Sequence, residues 1–437
     1  MSEGRFLKPF ERGGALGRTL LGITAAMVTL GTVFVASASE GEAAAAGTSV
    51  FSIMVRDVAY LALGVVAFYL AARVRLDRLV RSAPALAYVG VGLLVAVRLV
   101  GTSSNGGTRW LNLKVIQLQP SELFKLFTIL FVAWLIERHH RELGDWRRVL
   151  VLSWPILVGG LLVVAEPDLG TASVVFCLAL VMLWMVGLPR RFFVAVGVVG
   201  VAGFVLFMKI KPYSAQRLTA FLHPNANLLT SGYQLFQSKI GLGAGGLTGL
   251  GLGHSREKYG LLPNAHTDFI FTVIGEELGL VGTLCVLALF VAFLVTAVRI
   301  AQRSPHGTYR LIVVGITTWI MVEAVINVAS VVGWWAVTGV PLPFFSYGGT
   351  ALIVELFAVG LLYNVAHDRS RAPDLVVAES AGPRGRVHRP TGAPSRPRVA
   401  PPARRAAPAR RAPASGSRRG VVRPPHAPAP RRYRPEG

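Results

Sequence analysis

Ten long apolar runs alternate with polar segments along this chain, at approximately residues 19–38, 52–72, 83–100, 121–136, 149–165, 169–188, 192–209, 268–298, 311–333 and 347–366. Most approach the ~20 residues that an α-helix needs to cross a hydrocarbon core. A bilayer offers no water to backbone N–H and C=O groups, so crossing segments must satisfy them internally as helices. The pattern predicts an all-α polytopic membrane protein with about ten transmembrane helices. The longest polar interval, residues 210–267, separates spans seven and eight and is expected to form a large extracytoplasmic loop.

Charge between the runs sets the orientation. Arg5, Lys8, Arg12 and Arg18 precede the first run; Arg73, Arg75, Arg78 and Arg81 follow the second; Arg138, Arg141, Arg147 and Arg148 follow the fourth. Arg190 and Arg191, then Arg299, Arg303 and Arg310, continue the same side. The opposite side offers Glu40, Glu42, Glu166 and Asp168. The positive-inside rule then puts both termini in the cytoplasm. Two segments on the acidic side are themselves basic: 101–120 with Arg109 and Lys114, and 210–267 with Lys211, Arg217, Lys239, Arg256 and Lys258. These cations read either as headgroup anchors or as a surface for an anionic, phosphate-bearing substrate. The first run is too long for the apolar region of a signal peptide, so no cleavable leader is expected.

Composition agrees with the membrane class: 53% of residues are hydrophobic and 15% charged, against roughly 25% charged in soluble domains. Cys177 and Cys285 both lie in apolar runs and imply no disulfide framework. The net charge of +23 is uneven, because residues 371–437 hold sixteen arginines against Asp374, Glu379 and Glu436. The chain thus divides into a cytoplasmic N-terminus (1–18), a ten-span membrane domain (19–368) and a cytoplasmic tail (369–437). That Arg/Pro/Ala-rich tail lacks the apolar residues to fold and is expected to be disordered. Its arginines suit anionic lipid or an acidic partner, and without aromatic platforms no nucleic acid is expected.

Asp268 stands where the large loop meets the eighth run, wet on one side and apolar on the other. A carboxylate there suits a general base; it equally suits the N-cap of the following helix. Chemistry alone leaves both open. Glu122 and Lys125, spaced i, i+3, share a helix face and are expected to pair; ionisable residues within a span mark functional sites by default. Glu276 falls on the same half of the helix as Asp268, and Glu277 on the opposite side. Glu323 and Asn327, i and i+4, read as a buried hydrogen-bonded pair, and Glu355 as satisfied by a neighbouring helix. His266 reads as orienting the loop; with His254 and Glu257 a divalent-cation site (Mg or Mn) is conceivable, though the spacing matches no strong metal pattern. Gly241–Gly246 satisfies G-x-G-x-x-G but follows no buried strand, so it reads as a flexible loop able to bend into a re-entrant turn.

Four separated motifs resemble the SEDS family (shape, elongation, division and sporulation proteins), which includes FtsW and RodA. They are Asn105-Gly-Gly-Thr-Arg-Trp-Leu through Gln119-Pro-Ser-Glu-Leu-Phe-Lys125; Glu166-Pro-Asp-Leu-Gly-Thr171; Gly245 to Gly279 with its H-T-D-F-I-F; and Val340-Pro-Leu-Pro-Phe-Phe-Ser-Tyr-Gly-Gly-Thr350. Phe345-Ser-Tyr-Gly-Gly and the I-G-E-E-L-G run look more like the division-type FtsW than the elongation-type RodA. Ala336, Trp334-Trp335 and Asn264 depart from the family pattern. The resemblance implies a peptidoglycan glycosyltransferase in the bacterial plasma membrane that polymerises lipid II with a class B penicillin-binding transpeptidase and other divisome proteins. It implies Asp268 as the catalytic carboxylate. Arg109, Trp110, Glu122, Lys125, Ser346, Gly348 and Gly349 match motif positions of the substrate site. Arg217, Lys239 and Glu276 join them as candidate substrate contacts, with Arg109, Arg217 and Lys239 facing the pyrophosphate. A lipid II flippase, a scaffold for the transpeptidase and a RodA-like polymerase are the alternatives.

Overall fold

The computed structural model describes residues 14–45, 47–104, 107–112, 117–139, 145–166, 168–210, 219, 221, 232–304 and 306–367. The tail (369–437), Lys114 and Arg217 lie outside them. Helices lie over all ten apolar runs: α1 (Ala15–Ala45), α2 (Val50–Ala71), α3 (Leu76–Val100), α4 (Pro120–His139), the pair α5 (Trp146–Leu152) and α6 (Trp154–Ala165), α7 (Leu169–Met185), α8 (Arg190–Ile210), α10 (Ile270–Arg303), α11 (Gly307–Val332) and α12 (Thr350–His367). One further helix, α9 (Tyr233–Gly245), lies in the long polar interval. By length and apolarity α1, α2, α3, α10, α11 and α12 can each cross a membrane, and α5 with α6, bent by 63°, make a seventh candidate. The chain is a multi-pass helical membrane protein.

The sequence pattern did not reveal a small three-stranded antiparallel sheet between α3 and α4. It comprises β1 (Thr102–Ser104), β2 (Gly107–Asn112) and β3 (Gln117–Leu118), in that order. Strands this short have no periodic signature; they exist because Thr102 pairs with Trp110 and Leu111 with Leu118. In the bundle α2 packs along α12 and α3 along α4, while α11 lies against α10, α7 and α4.

Two departures from the apolar runs bear on the site. α1 continues to Ala45, so Glu40 and Glu42 project from its last turns instead of from a loop. α10 begins at Ile270 and breaks at Gly279, which has φ 66° and ψ −162°. A break frees helical carbonyls and amides, which must find other partners away from water. The glycine-rich run supplies them. Leu250 N donates to Glu276 O (3.0 Å) and Gly251 N to Glu277 O (3.0 Å), while Leu280 N donates to Gly246 O (2.9 Å) and Val281 N to Leu247 O (3.2 Å). A Cβ on Gly279 would lie 2.4 Å from Gly249 N and 2.5 Å from Leu247 O, so both the backbone angle and the space require glycine there.

Candidate active site

The turn before α10 is built on Asn264, at φ 60°, a left-handed conformation that asparagine tolerates better than most residues. Its carbonyl accepts from Thr267 N (3.2 Å), Phe269 N (3.3 Å) and Thr267 Oγ1 (3.2 Å). The turn holds Asp268 half-buried. The N-cap position of α10 falls on Phe269, which makes no side-chain capping bond.

Three successive carbonyls around this residue are held from elsewhere in the chain. Tyr347 N donates to His266 O (3.0 Å), Ser346 Oγ to Thr267 O (2.6 Å) and Asn327 Nδ2 to Asp268 O (2.8 Å). Ser346 is used in both directions, since its hydroxyl also accepts from Leu342 N (2.7 Å). The expected Glu323–Asn327 hydrogen bond is not formed: the second Asn327 Nδ2 contact goes to Val340 O (2.8 Å). Side chains at i and i+4 are neighbours, but here each finds a better-placed partner on another element.

The C-terminal end of α1 grips the same loop. Glu42 Oε2 lies 2.8 Å from His266 Nδ1, and the imidazole packs 5.6 Å from the Tyr347 ring. Burial lowers the His266 pKa, with Glu42 opposing. Lys258, expected among the external cations, is instead 2% exposed. Its Nζ donates to Glu40 Oε2 (2.6 Å), Gly253 O (2.8 Å) and Ser37 Oγ (3.1 Å), with Glu277 Oε1 at 3.6 Å. Gly41 admits this backbone, since a Cβ there would sit 1.7 Å from Lys258 O. Glu276 does not turn toward Asp268's surroundings; its carboxylate accepts from Ser255 Oγ (2.5 Å) and Arg256 N (2.9 Å), anchoring the glycine-rich loop. Glu257, beside it, is pushed up to about 7 by burial and by the Glu276 charge.

Deeper in the bundle Lys125 Nζ lies 2.7 Å from Glu122 Oε2, the expected pair, and also donates to Glu323 of α11, 4.8 Å from the Trp319 ring centroid. All three charged groups are buried. Buried charges persist when they are paired in this way. Glu355 is satisfied by a loop and not by a helix: it accepts from Phe344 N (2.9 Å).

At the sheet, Arg109 Nε donates to Glu166 O (3.2 Å) and its Nη1 lies 3.9 Å from Asp168 Oδ2, tying β2 to the turn before α7. Glu166 is buried and its pKa rises to about 8 through burial and the Asp168 charge, against Arg109 and Arg98. Trp110 sits half-buried on β2. Lys239 of α9 is exposed, its stem over the Gly333 cap of α11. Gly349, at φ 40°, faces the Tyr60 ring, and Gly348 precedes it in the same half-buried turn. Arg217 is outside the described residues. The conceivable cation ligands do not assemble: His254 Nδ1 lies 2.9 Å from Leu252 O, His266 pairs with Glu42, and among the described residues no three His, Cys, Asp or Glu gather as a metal site.

The sequence reading missed Asn327 as a partner of the Asp268 segment and Glu40 and Glu42 as its supports. The one local hint was Glu40-Gly-Glu42, two acids flanking a glycine at the end of an apolar run.

Residues 18–371 match the family model of the FtsW–RodA–SpoVE cell cycle proteins. The chain is 36% identical over 347 residues to the stage V sporulation protein E of Bacillus subtilis, covering 79% of this chain and 95% of that protein. It is 38% identical over 357 residues to a probable peptidoglycan glycosyltransferase FtsW of Methylococcus capsulatus, covering 80% and 89%. Among solved structures, a chain of a peptidoglycan synthase complex that coordinates polymerization and crosslinking superposes with a TM-score of 0.68 at 30% identity, covering 80% of this chain and 98% of that one. The rod shape determining protein RodA of Thermus thermophilus superposes at 0.58 with 28% identity, covering 80% and 97%. On the extent of these matches, the chain belongs to the FtsW–RodA–SpoVE family of cell cycle proteins.

Proposed function

We propose that this chain is a division-type peptidoglycan glycosyltransferase that polymerises lipid II, with Asp268 as its general base. The observation that carries the reading is a half-buried carboxylate on a turn whose three neighbouring carbonyls are each pinned by a separate donor. Catalytic bases act when held within hydrogen-bond reach of the proton they take. Asp268 accepts the proton of the acceptor sugar hydroxyl as that oxygen attacks the anomeric carbon of the donor glycan. The bond to the polyprenyl pyrophosphate breaks, and with one base and no covalent intermediate the anomeric configuration inverts. Negative charge growing on the leaving group calls for cations; among the described residues exposed Lys239 suits that role better than Arg109, which is already engaged by the Glu166–Asp168 turn, and Arg217 stays a candidate by its charge and its place in the sequence.

In this reading all ten apolar segments cross the plasma membrane, both termini are cytoplasmic, and the Asp268 end of the bundle is external. A class B penicillin-binding transpeptidase is the working partner, within a set of divisome proteins. Replacing Asp268 by Ala should lower lipid II polymerisation by about 10²–10⁴-fold while the protein still folds and co-purifies with that partner. Polymer made at the parent rate by the variant would refute the role. The flippase reading draws on the buried Lys125–Glu122–Glu323 cluster and the broken helix α10, features that also occur in transporters. Polymer formed by purified protein in detergent, where no bilayer exists to flip across, decides for the enzyme.

A further inference from the structure

We propose that Asn327 is a positioning residue for Asp268, acting with Ser346 to fix the backbone from which the carboxylate projects. The inference rests on the glycosyltransferase reading above. The Thr267 carbonyl belongs to the peptide plane before the Asp268 Cα, and the Asp268 carbonyl to the plane after it. Ser346 Oγ holds the first at 2.6 Å and Asn327 Nδ2 the second at 2.8 Å. With both rigid planes held, the direction in which the Asp268 side chain leaves the backbone is fixed.

Asn327 suits this task in a way an ordinary packing residue does not. It is 1% exposed on α11, and both described contacts of its Nδ2 are to backbone carbonyls, Asp268 O and Val340 O, each at 2.8 Å. Turning the amide over would set Oδ1 against two acceptors, so the partners fix its orientation. Its Oδ1 has no hydrogen-bond partner among the described residues. One buried acceptor is thereby left unmade, but an apolar residue of similar size would leave two instead, the Asp268 and Val340 carbonyls. Keeping the amide here makes sense if its donors serve the site. One turn before it, Glu323 holds α11 to Lys125 on α4. The height of the amide is therefore set by a buried ion pair and not by a mobile surface.

A small displacement of a reacting group is enough to slow a reaction about 10²-fold. The prediction is a loss of kcat with KM retained, because Asn327 touches the Asp268 segment and not the substrate. Initial rates of lipid II polymerisation over a range of lipid II concentrations, with the full chain in complex with its transpeptidase in detergent, provide the test. Asn327→Leu, near in volume but without the two donated bonds, should lose about 100-fold in kcat with KM within threefold, while still unfolding in one cooperative transition, at a lower temperature than the parent. Ser346→Ala should lose about tenfold in kcat, and Ser346→Thr, which restores the hydroxyl, should recover most of it. If Asn327→Leu does not fold, the Ser346 pair decides, since a serine that contacts substrate moves KM instead.

A folded Asn327→Leu protein with kcat within threefold of the parent, or a change confined to KM in either series, overturns the proposal. An active parent, an inactive Asp268→Ala variant and an unaffected Asn327→Leu variant would remove this inference alone. A parent that makes no polymer removes the glycosyltransferase reading and this inference with it.

Discussion

The two halves of α10 come from one apolar run and have opposite surroundings. From Ile270 to Glu277 every residue is buried, on all sides of the helix. Beyond Gly279, Leu280, Val281, Leu284 and Val291 are exposed while Gly282, Val286, Phe290 and Phe293 are buried, which leaves one face inward and one outward. The first half is enclosed by protein on every side, and its two glutamates and their freed carbonyls are taken up by the glycine-rich loop. The second half carries an apolar outer face of the kind a bilayer can cover. At 1.5 Å per residue, Leu280–Arg303 spans about 36 Å, enough for a bilayer without the first half. Apolarity therefore marks two different things in one helix: a fully enclosed support for the Asp268 turn, and a segment long and apolar enough to cross a membrane.

Breaking the junction between the halves should have the largest effect. Gly279→Val demands a left-handed backbone from a β-branched residue and overlaps the backbone of Leu247 and Gly249. It should destabilise the protein by about 3–5 kcal/mol, read as a large fall in the unfolding temperature of detergent-solubilised protein. A core truncation within the enclosed half comes next: Ile274→Ala, fully buried, should cost about 2–5 kcal/mol in the same measurement.

The loop that seals this half gives a smaller, pH-dependent effect. Glu257 titrates near 7 in the folded chain, above its ordinary value of 4.5. An acid whose pKa is raised by folding favours the folded state while both states are protonated. That contribution is complete below about pH 4.5 and falls away as pH rises toward 7. Glu257→Gln should flatten the dependence of unfolding temperature on pH over this window, and an unchanged slope would assign it to other groups. Least affected should be Leu284→Ala on the outward face, 54% exposed, with a change under about 0.5 kcal/mol. A loss there as large as at Ile274 would show that the outward half is enclosed too, and the contrast between the halves would fail.

What the sequence settled was local. Ten apolar runs gave helices because a period and a length suffice to recognise them. Glu122 and Lys125 pair because residues three apart on a helix must lie side by side. Asp268 stood out because an acid at the start of an apolar run is conspicuous. The tertiary structure decided what those residues meet. It gave Lys125 a second acid from α11, buried Lys258 between Glu40 and Glu277, turned Glu276 to the glycine-rich loop, and joined Asn327 to Asp268 across 59 positions of chain. Helical periods are imposed by each residue's near neighbours, so they can be read in order along the chain. A hydrogen bond between distant segments is fixed only when packing brings a donor to a carbonyl that has lost its helical partner, and no spacing in the sequence records that meeting.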